Sequence, residues 1–334
     1  MSSNLGEFEL IRRFFVRDQR PQRVPGVLLG IGDDAALLDL PKGSDLVAAV
    51  DTIVAGRHFL EDSDARSIGH RALAVNLSDI AAMGATPLWA TLALTLPGAD
   101  PDWLEKFAAG FLELADVYGV SLVGGDTTQG PLTVSVQILG HVPRGTALRR
   151  SGAQAGDLLA VSGTLGDAAA GLAFLKAAPP RASSPAVDEL IRRFDFAEPR
   201  VHFGAASRGI ATAAMDLSDG LVGDLPKLAQ ASGLAARVEV ERLPLSAAMR
   251  SAASSGQALE WALSGGDDYE LLMAVPAARF AELKAAADRL NLTLTTIGEL
   301  SVGTGVTWSL EGKVFHPRGS GFDHFAQAST QITV

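Results

Sequence analysis

Five times along this sequence an apolar run stops at one or two aspartates: "VLLGIGDD", "LVAAVD", "SLVGGD", "AAMDLSDG" and "ALSGGDD". In all but the second, glycine stands close beside the acid. Short apolar runs bounded by turn residues read as buried strands, so the repeated pattern calls for a sheet that gathers carboxylates at one rim. In "GIGDDAALL" the residues around Asp33 and Asp34 (Val27, Leu28 and Leu29 before, Ala35 to Leu38 after) read as core strand. Adjacent charges in such a place are costly unless something positive sits there. An aspartate beside glycine at a strand end is most often a turn residue or a helix cap. That reading suits any one of these sites better than the whole set. Asp79 fits it least, because "ALAVNLSDIAAMGA" is otherwise a buried helix on which Asn76, Asp79 and Met83 share one face.

The chain has 334 residues, 47% of them hydrophobic, enough for two medium domains. Its net charge of -10 argues against nucleic acid as a partner. Phosphates remain possible ligands if cations bridge them. There is no cysteine, hence no disulfide, thiolate metal site or cysteine nucleophile. No apolar run is long enough to span a membrane, and the N-terminal residues lack an apolar signal core, so a cytoplasmic location is expected.

Strands and helices alternate, which indicates an α/β or α+β fold. A helix is predicted over residues 65 to 83. Another is predicted over 101 to 119, opened by Pro101 and closed by Gly119. The stretch "PRGTALRRSGAQAGD", 143 to 157, marks the domain boundary, with domains 1–146 and 147–334. "GIGDDA" formally matches a dinucleotide fingerprint, but Pro41 arrives before any helix can follow, and no P-loop, H-E-x-x-H or protein-kinase signature is present. Converging carboxylates with few bases nearby suit Mg²⁺, which takes oxygen ligands and shares them with substrate phosphates. The residues therefore point to Mg²⁺ carrying a nucleotide.

In order along nearly the whole chain, "GEFELIRRFF", "GIGDDAALL", "DTIVAGRHF", "ALAVNLSDIAAMGA", "GGDTT", "RSGAQAGD", "GTLGDAAAGL", "DLSDGL", "SGGDDYELL" and "GFDHF" resemble the thiamine-monophosphate kinase family. That family lies in the ATP-binding superfamily of aminoimidazole ribonucleotide synthetase. The resemblance implies an α/β (α+β) two-domain fold, with an N-terminal sheet domain forming a homodimer and a C-terminal α/β domain completing the cleft. It implies direct transfer of phosphate from ATP to thiamine monophosphate, assisted by several Mg²⁺ ions and without a general base. By the same resemblance Asp34, Asp51, Asp79, Asp126 and Asp216 are metal ligands, Asp219 is a further metal contact, and Val50 offers its backbone carbonyl. Gly125, Asp126, Arg150 and Ser218 match nucleotide contacts; His58 and Asp267 match substrate contacts. The sequence departs from the family pattern at Ala49 and Val50, usually hydroxylated, at Asp267, usually Glu, and at Gly319, usually aromatic. The competing readings are another ATP-dependent synthetase of the superfamily and a non-catalytic relative that binds nucleotide or thiamine phosphate.

Overall fold

The computed structural model describes residues 6–16, 26–177 and 183–321. The matching segment "GFDHF" lies outside them but for Gly321. In the N-terminal half the elements are α1 (Glu7–Phe14), β1 (Val27–Leu29), β2 (Leu37–Leu38), β3 (Ser44–Val54), α2 (Ala65–Ala82), β4 (Thr86–Leu96), α3 (Pro101–Tyr118), β5 (Ser121–Gln129) and β6 (Thr133–Pro143). After a loop come β7 (Asp157–Ser162), α4 (Asp167–Leu175), α5 (Pro185–Asp195), α6 (Val201–Ser207), β8 (Ala213–Leu217), α7 (Leu221–Ala231) and β9 (Ala235–Glu239). The chain continues with α8 (Ala247–Ala252), α9 (Ser255–Ser264), β10 (Glu270–Pro276), α10 (Phe280–Asp288), β11 (Leu294–Ser301), β12 (Val306–Leu310) and β13 (Lys313–Phe315).

The first half builds a four-stranded sheet in the order β3-β6-β4-β5, in which only β4 and β5 run parallel. The second half builds a seven-stranded sheet, β13-β12-β9-β11-β7-β10-β8, antiparallel except for β9 with β12. This antiparallel bias is the α+β side of the sequence expectation.

The ends of α3 follow the sequence signals. Asp100 accepts a hydrogen bond from the Asp102 amide at 3.0 Å, Pro101 fills the first turn, and Gly119 ends the helix at φ 67°. Helix α2 is buried almost all round, so it has no solvent face and serves as the spine of the molecule. It packs on α3 through glycine: a Cβ at Gly69 would lie 2.1 Å from the Phe107 carbonyl oxygen, and one at Gly110 would lie 1.9 Å from that of Arg66. On its other sides α2 meets β3 and β6 of the first sheet and α6, β8 and β10 of the second half. One core cluster accordingly runs from Leu73 and Ile80 through Phe107 to Leu271 and Met273.

The expectation of a core strand around Asp33 and Asp34 is corrected. Strands β1 and β2 form a separate two-stranded ribbon whose Leu28 is 72% exposed and Leu37 56% exposed. Asp33 and Asp34 are exposed, and the Asp34 amide donates to Asp33 Oδ1 at 2.8 Å. Helix α5 is not among the helices expected from the sequence. For α5 the signal was present: Ser184 caps the Val187 amide, Pro185 follows, and Asp188 sits in the first turn.

Candidate active site

Helix α2 carries side chains that fix acids from both halves of the chain. Asn76, fully buried, accepts a hydrogen bond from the Asp51 amide at 3.1 Å and donates to the Ala72 carbonyl at 3.0 Å. The edge strand β3 is thereby tied to α2. Two residues on, Ser78 donates to Asp216 Oδ2 at 2.7 Å, joining α2 to β8. Asp79 comes next, and no described residue donates a hydrogen bond to its carboxylate.

Asp51, Asp79 and Asp216 crowd one another. Burial, then the charges of Asp216 and Asp51, push Asp79 up to about 7, with Arg150 opposing. Burial also raises Asp216 to about 6, against the Ser78 hydrogen bond. Asp51 is raised by burial. Uncompensated carboxylates in a low-dielectric setting favour their protonated forms until a cation arrives. Asp79 and Asp216 line a cavity of 530 Å³ with Arg149, Arg150 and Met83.

Asp34, Gly125 and Asp126 line a different cavity, of 740 Å³, between α1, the loop after β1 and strand β5. Strands β3 and β5 are the two edges of the four-stranded sheet, separated by three strand spacings, about 14 Å. Within one chain, then, the five expected metal aspartates do not form one cluster; they divide into an inner group (Asp51, Asp79, Asp216) and an outer pair (Asp34, Asp126). Among the described residues no three acidic or histidine side chains stand close enough to make a metal site by themselves. Gly125 allows a tight approach: at φ 152°, its Cβ would lie 1.9 Å from the Leu92 carbonyl oxygen.

The remaining expected residues have definite structural partners. Because the Asp51 amide points away from β6, ladder alternation turns the Val50 carbonyl toward β6 and leaves the Asp51 carbonyl at the free edge. His58, half-buried, accepts the Val54 amide on Nδ1 at 3.0 Å, which leaves its proton on Nε2. Asp219 pairs with Lys227 at 2.6 Å. Ser218 and Asp219 both donate their amides to Asp224 Oδ2, at 3.0 and 2.9 Å. Asp267 stands 2.7 Å from Arg71. Asp224, Arg71 and Ser78 did not emerge from the sequence. Only Asp224 had a local signal, as an acid in the first turn of a helix after a Gly-containing loop. At Gly319 a Cβ would lie 2.4 Å from Ser264 Oγ, so that place is closed to an aromatic ring unless Ser264 moves. Trp308 and Phe315 pack instead on the second core.

The AIR synthase related protein N-terminal domain model matches residues 32–142, and the corresponding C-terminal domain model matches 154–309. The chain is 48% identical over 322 residues to the thiamine-monophosphate kinase of Salmonella typhimurium, covering 96% of this chain and 98% of that one. It belongs to the thiamine-monophosphate kinase family. The Escherichia coli K12 member is 47% identical over the same share of both chains. Among solved structures, the thiamine-monophosphate kinase of Stenotrophomonas maltophilia matches with a TM-score of 0.82 at 46% identity, over 87% of this chain and 92% of that one. AaThiL complexed with AMPPCP and TMP matches with a TM-score of 0.75 at 33% identity, over 86% of this chain and 89% of that one. A hydrogenase maturation protein HypE complexed with ATP shares the fold, at 21% identity and a TM-score of 0.71 over 92% of each chain.

Proposed function

We propose that this protein transfers the γ-phosphate of ATP to thiamine monophosphate, forming thiamine diphosphate. The reading is carried by near full-length similarity to thiamine-monophosphate kinases, one structural relative being complexed with AMPPCP and TMP. The attacking group is a phosphate oxygen, ionised near neutral pH, so no side chain has to remove a proton. The protein's task is to bring two anions together in line and hold them there.

The inner acids fit a hard divalent cation: all their donors are oxygen, and burial together with the like charges of Asp216 and Asp51 raises Asp79 to about 7. We assign Asp51, Asp79 and Asp216 to Mg²⁺, with the Asp51 carbonyl taking the place expected of Val50. Asp34 and Asp126 form a second acidic wall, in the other cavity, for further Mg²⁺ ions, and Asp219 lies at the margin of the inner group once released from Lys227. When bound, Mg²⁺ neutralises the repulsion between donor and acceptor phosphates. Arg150, whose charge acts on Asp79, offers a two-pronged contact to phosphate. Gly125 and Ser218 give backbone and hydroxyl contacts to the nucleotide, and His58 Nε2–H faces the acceptor phosphate.

We further propose that residues 1–146 and 147–334 are the two functional domains and that the chain acts as a homodimer. The outer face of β3 supports the dimer: Leu46 is 55% exposed and Val50 63% exposed, with Ala48 exposed between them. An apolar stripe of this kind on an edge strand seeks a cover. The reaction is placed in the cytoplasm, where ATP and Mg²⁺ are supplied; no described helix is long and apolar enough to cross a membrane. No nucleic acid or membrane partner is proposed.

The test is an assay of purified protein with ATP, Mg²⁺ and thiamine monophosphate, read as thiamine diphosphate formed. Product that disappears on chelation is expected. Absence of product while ATP and Mg²⁺ still bind would assign the acceptor to another phosphate compound.

A further inference from the structure

Between α9 and β10, beside the end of β8, the segment carrying Asp267 folds back on itself under strain. Asp267 has φ 70° and Tyr269 φ 51°, so two non-glycine residues within three sit in the left-handed region. Gly265 and Gly266 lie just before them and would have taken such angles at no steric cost. Backbone strain of this kind persists only where the surroundings dictate it. Here four contacts do so. The Asp267 amide donates to the Ser218 carbonyl and the Tyr269 amide to the Leu217 carbonyl, each at 2.9 Å. The Tyr269 hydroxyl donates to Asp267 Oδ1 at 2.9 Å. Arg71 Nη2 stands 2.7 Å from Asp267 Oδ2.

Arg71 reaches Asp267 from a distant part of the chain. It lies on α2, is 2% exposed, stacks its guanidinium 4.3 Å from the ring centroid of Phe194, and donates Nη1 to the Phe194 carbonyl. Among the described residues its Nε has no acceptor, and Nη2 meets Asp267 as an ion pair. A buried guanidinium left with unused donors adds little to stability. The arrangement instead fixes where one carboxylate stands. The Asp267 side chain stays 31% exposed, at the rim that also holds Ser218 and Asp216.

We infer that Arg71 and Tyr269 are positioning residues that hold the Asp267 carboxylate toward the acceptor site as the counter-charge for a cationic ring. This rests on the proposed function, because the thiazolium ring of thiamine monophosphate carries a permanent positive charge. With both oxygens already engaged, Asp267 recognises that charge through its field rather than by a directed hydrogen bond. The unit thus selects cationic acceptors over neutral ones, and α2 sets acceptor recognition at Arg71 as well as the acids at Asn76, Ser78 and Asp79.

The experiment compares wild type, Arg71→Met and Tyr269→Phe in steady-state kinetics with two acceptors. One is thiamine monophosphate; the other is the phosphate of 4-methyl-5-(2-hydroxyethyl)thiazole, whose ring is neutral. Arg71→Met should raise KM for thiamine monophosphate roughly tenfold and erode the preference for the cationic acceptor by a similar factor. KM for ATP should stay within about twofold, since uniform loss of acceptor binding leaves the nucleotide side alone. Tyr269→Phe removes only a hydroxyl, keeps the fold, and should give the same pattern at roughly threefold. If both variants lose kcat equally with both acceptors while every KM holds, the residues are structural and the inference is overturned. A wild type that phosphorylates neither acceptor overturns the proposed function, and this inference with it.

Discussion

The molecule holds two groups of acids with opposite fates. Asp224, Asp268 and Glu270 are engaged by the fold. Asp224 takes two backbone amides and Lys227. Asp268 accepts the Gly166 amide at 2.7 Å, at the start of α4. Glu270, 3% exposed, is met by Arg200 Nε at 2.7 Å and by Ser162 Oγ at 2.5 Å. Among the described residues Asp51, Asp79 and Asp216 are left with one side-chain hydrogen bond, from Ser78 to Asp216, and with Arg150 as the cation that eases Asp79. Acids that the fold pairs hold it together. Acids that it buries and leaves short of positive charge are kept for something that arrives from outside.

The largest contrast should come from Asp79→Asn. Turnover is expected to fall about a thousandfold, as for loss of a group that organises transition-state charge. The metal-free variant should melt at the same temperature as wild type or higher, because a like charge has been removed. A destabilised Asp79→Asn would place Asp79 with the structural acids. The reverse experiment is Arg200→Met, which strands Glu270 without its cation. It should cost about 3–5 kcal/mol in denaturant unfolding, with kcat per folded molecule retained.

Acidity gives a third, smaller separation. In the metal-free protein Asp79 and Asp216 titrate near 7 and 6, above their ordinary 3.8. The folded state therefore binds more protons than the unfolded state between those values. Their contribution is present at low pH and is lost as pH rises from about 4 through about 7. Added Mg²⁺ should thus raise the melting temperature more at pH 8 than at pH 5, where protons occupy the same oxygens. Equal shifts at both values would remove the inner acids from the metal site. Smallest of all, Asp219→Asn breaks a pair whose Lys227 is 42% exposed. It should change stability by less than about 1 kcal/mol. A loss of turnover well beyond that would show that Asp219 leaves Lys227 to contact the metal.

What was legible in the sequence was local. Pro101 and Gly119 bounded α3 because capping is decided within one turn. The face of α2 bearing Asn76 and Asp79 could be read because a polar pair in an apolar helix contradicts its surroundings. The ribbon around Asp33 was misread for the same reason: "VLL" and "LL" satisfy a strand pattern, yet Leu28 and Leu37 lie on the surface. Periodicity reports apolarity, and burial depends on whether another element arrives to cover it.

By itself the sequence determined that acids end the strands, that no thiol chemistry is open to the chain, and which family it resembles. The tertiary structure decided which acids are paired. Ser78 meets Asp216 across 138 positions of chain and Arg200 meets Glu270 across 70. Strand order sets Asp126 on the far edge of the sheet from Asp51, and Asp34 lines the same cavity as Asp126. A carboxylate's charge is governed by the donors, cations and solvent within a few ångströms of it, and in this fold those neighbours come from distant parts of the chain.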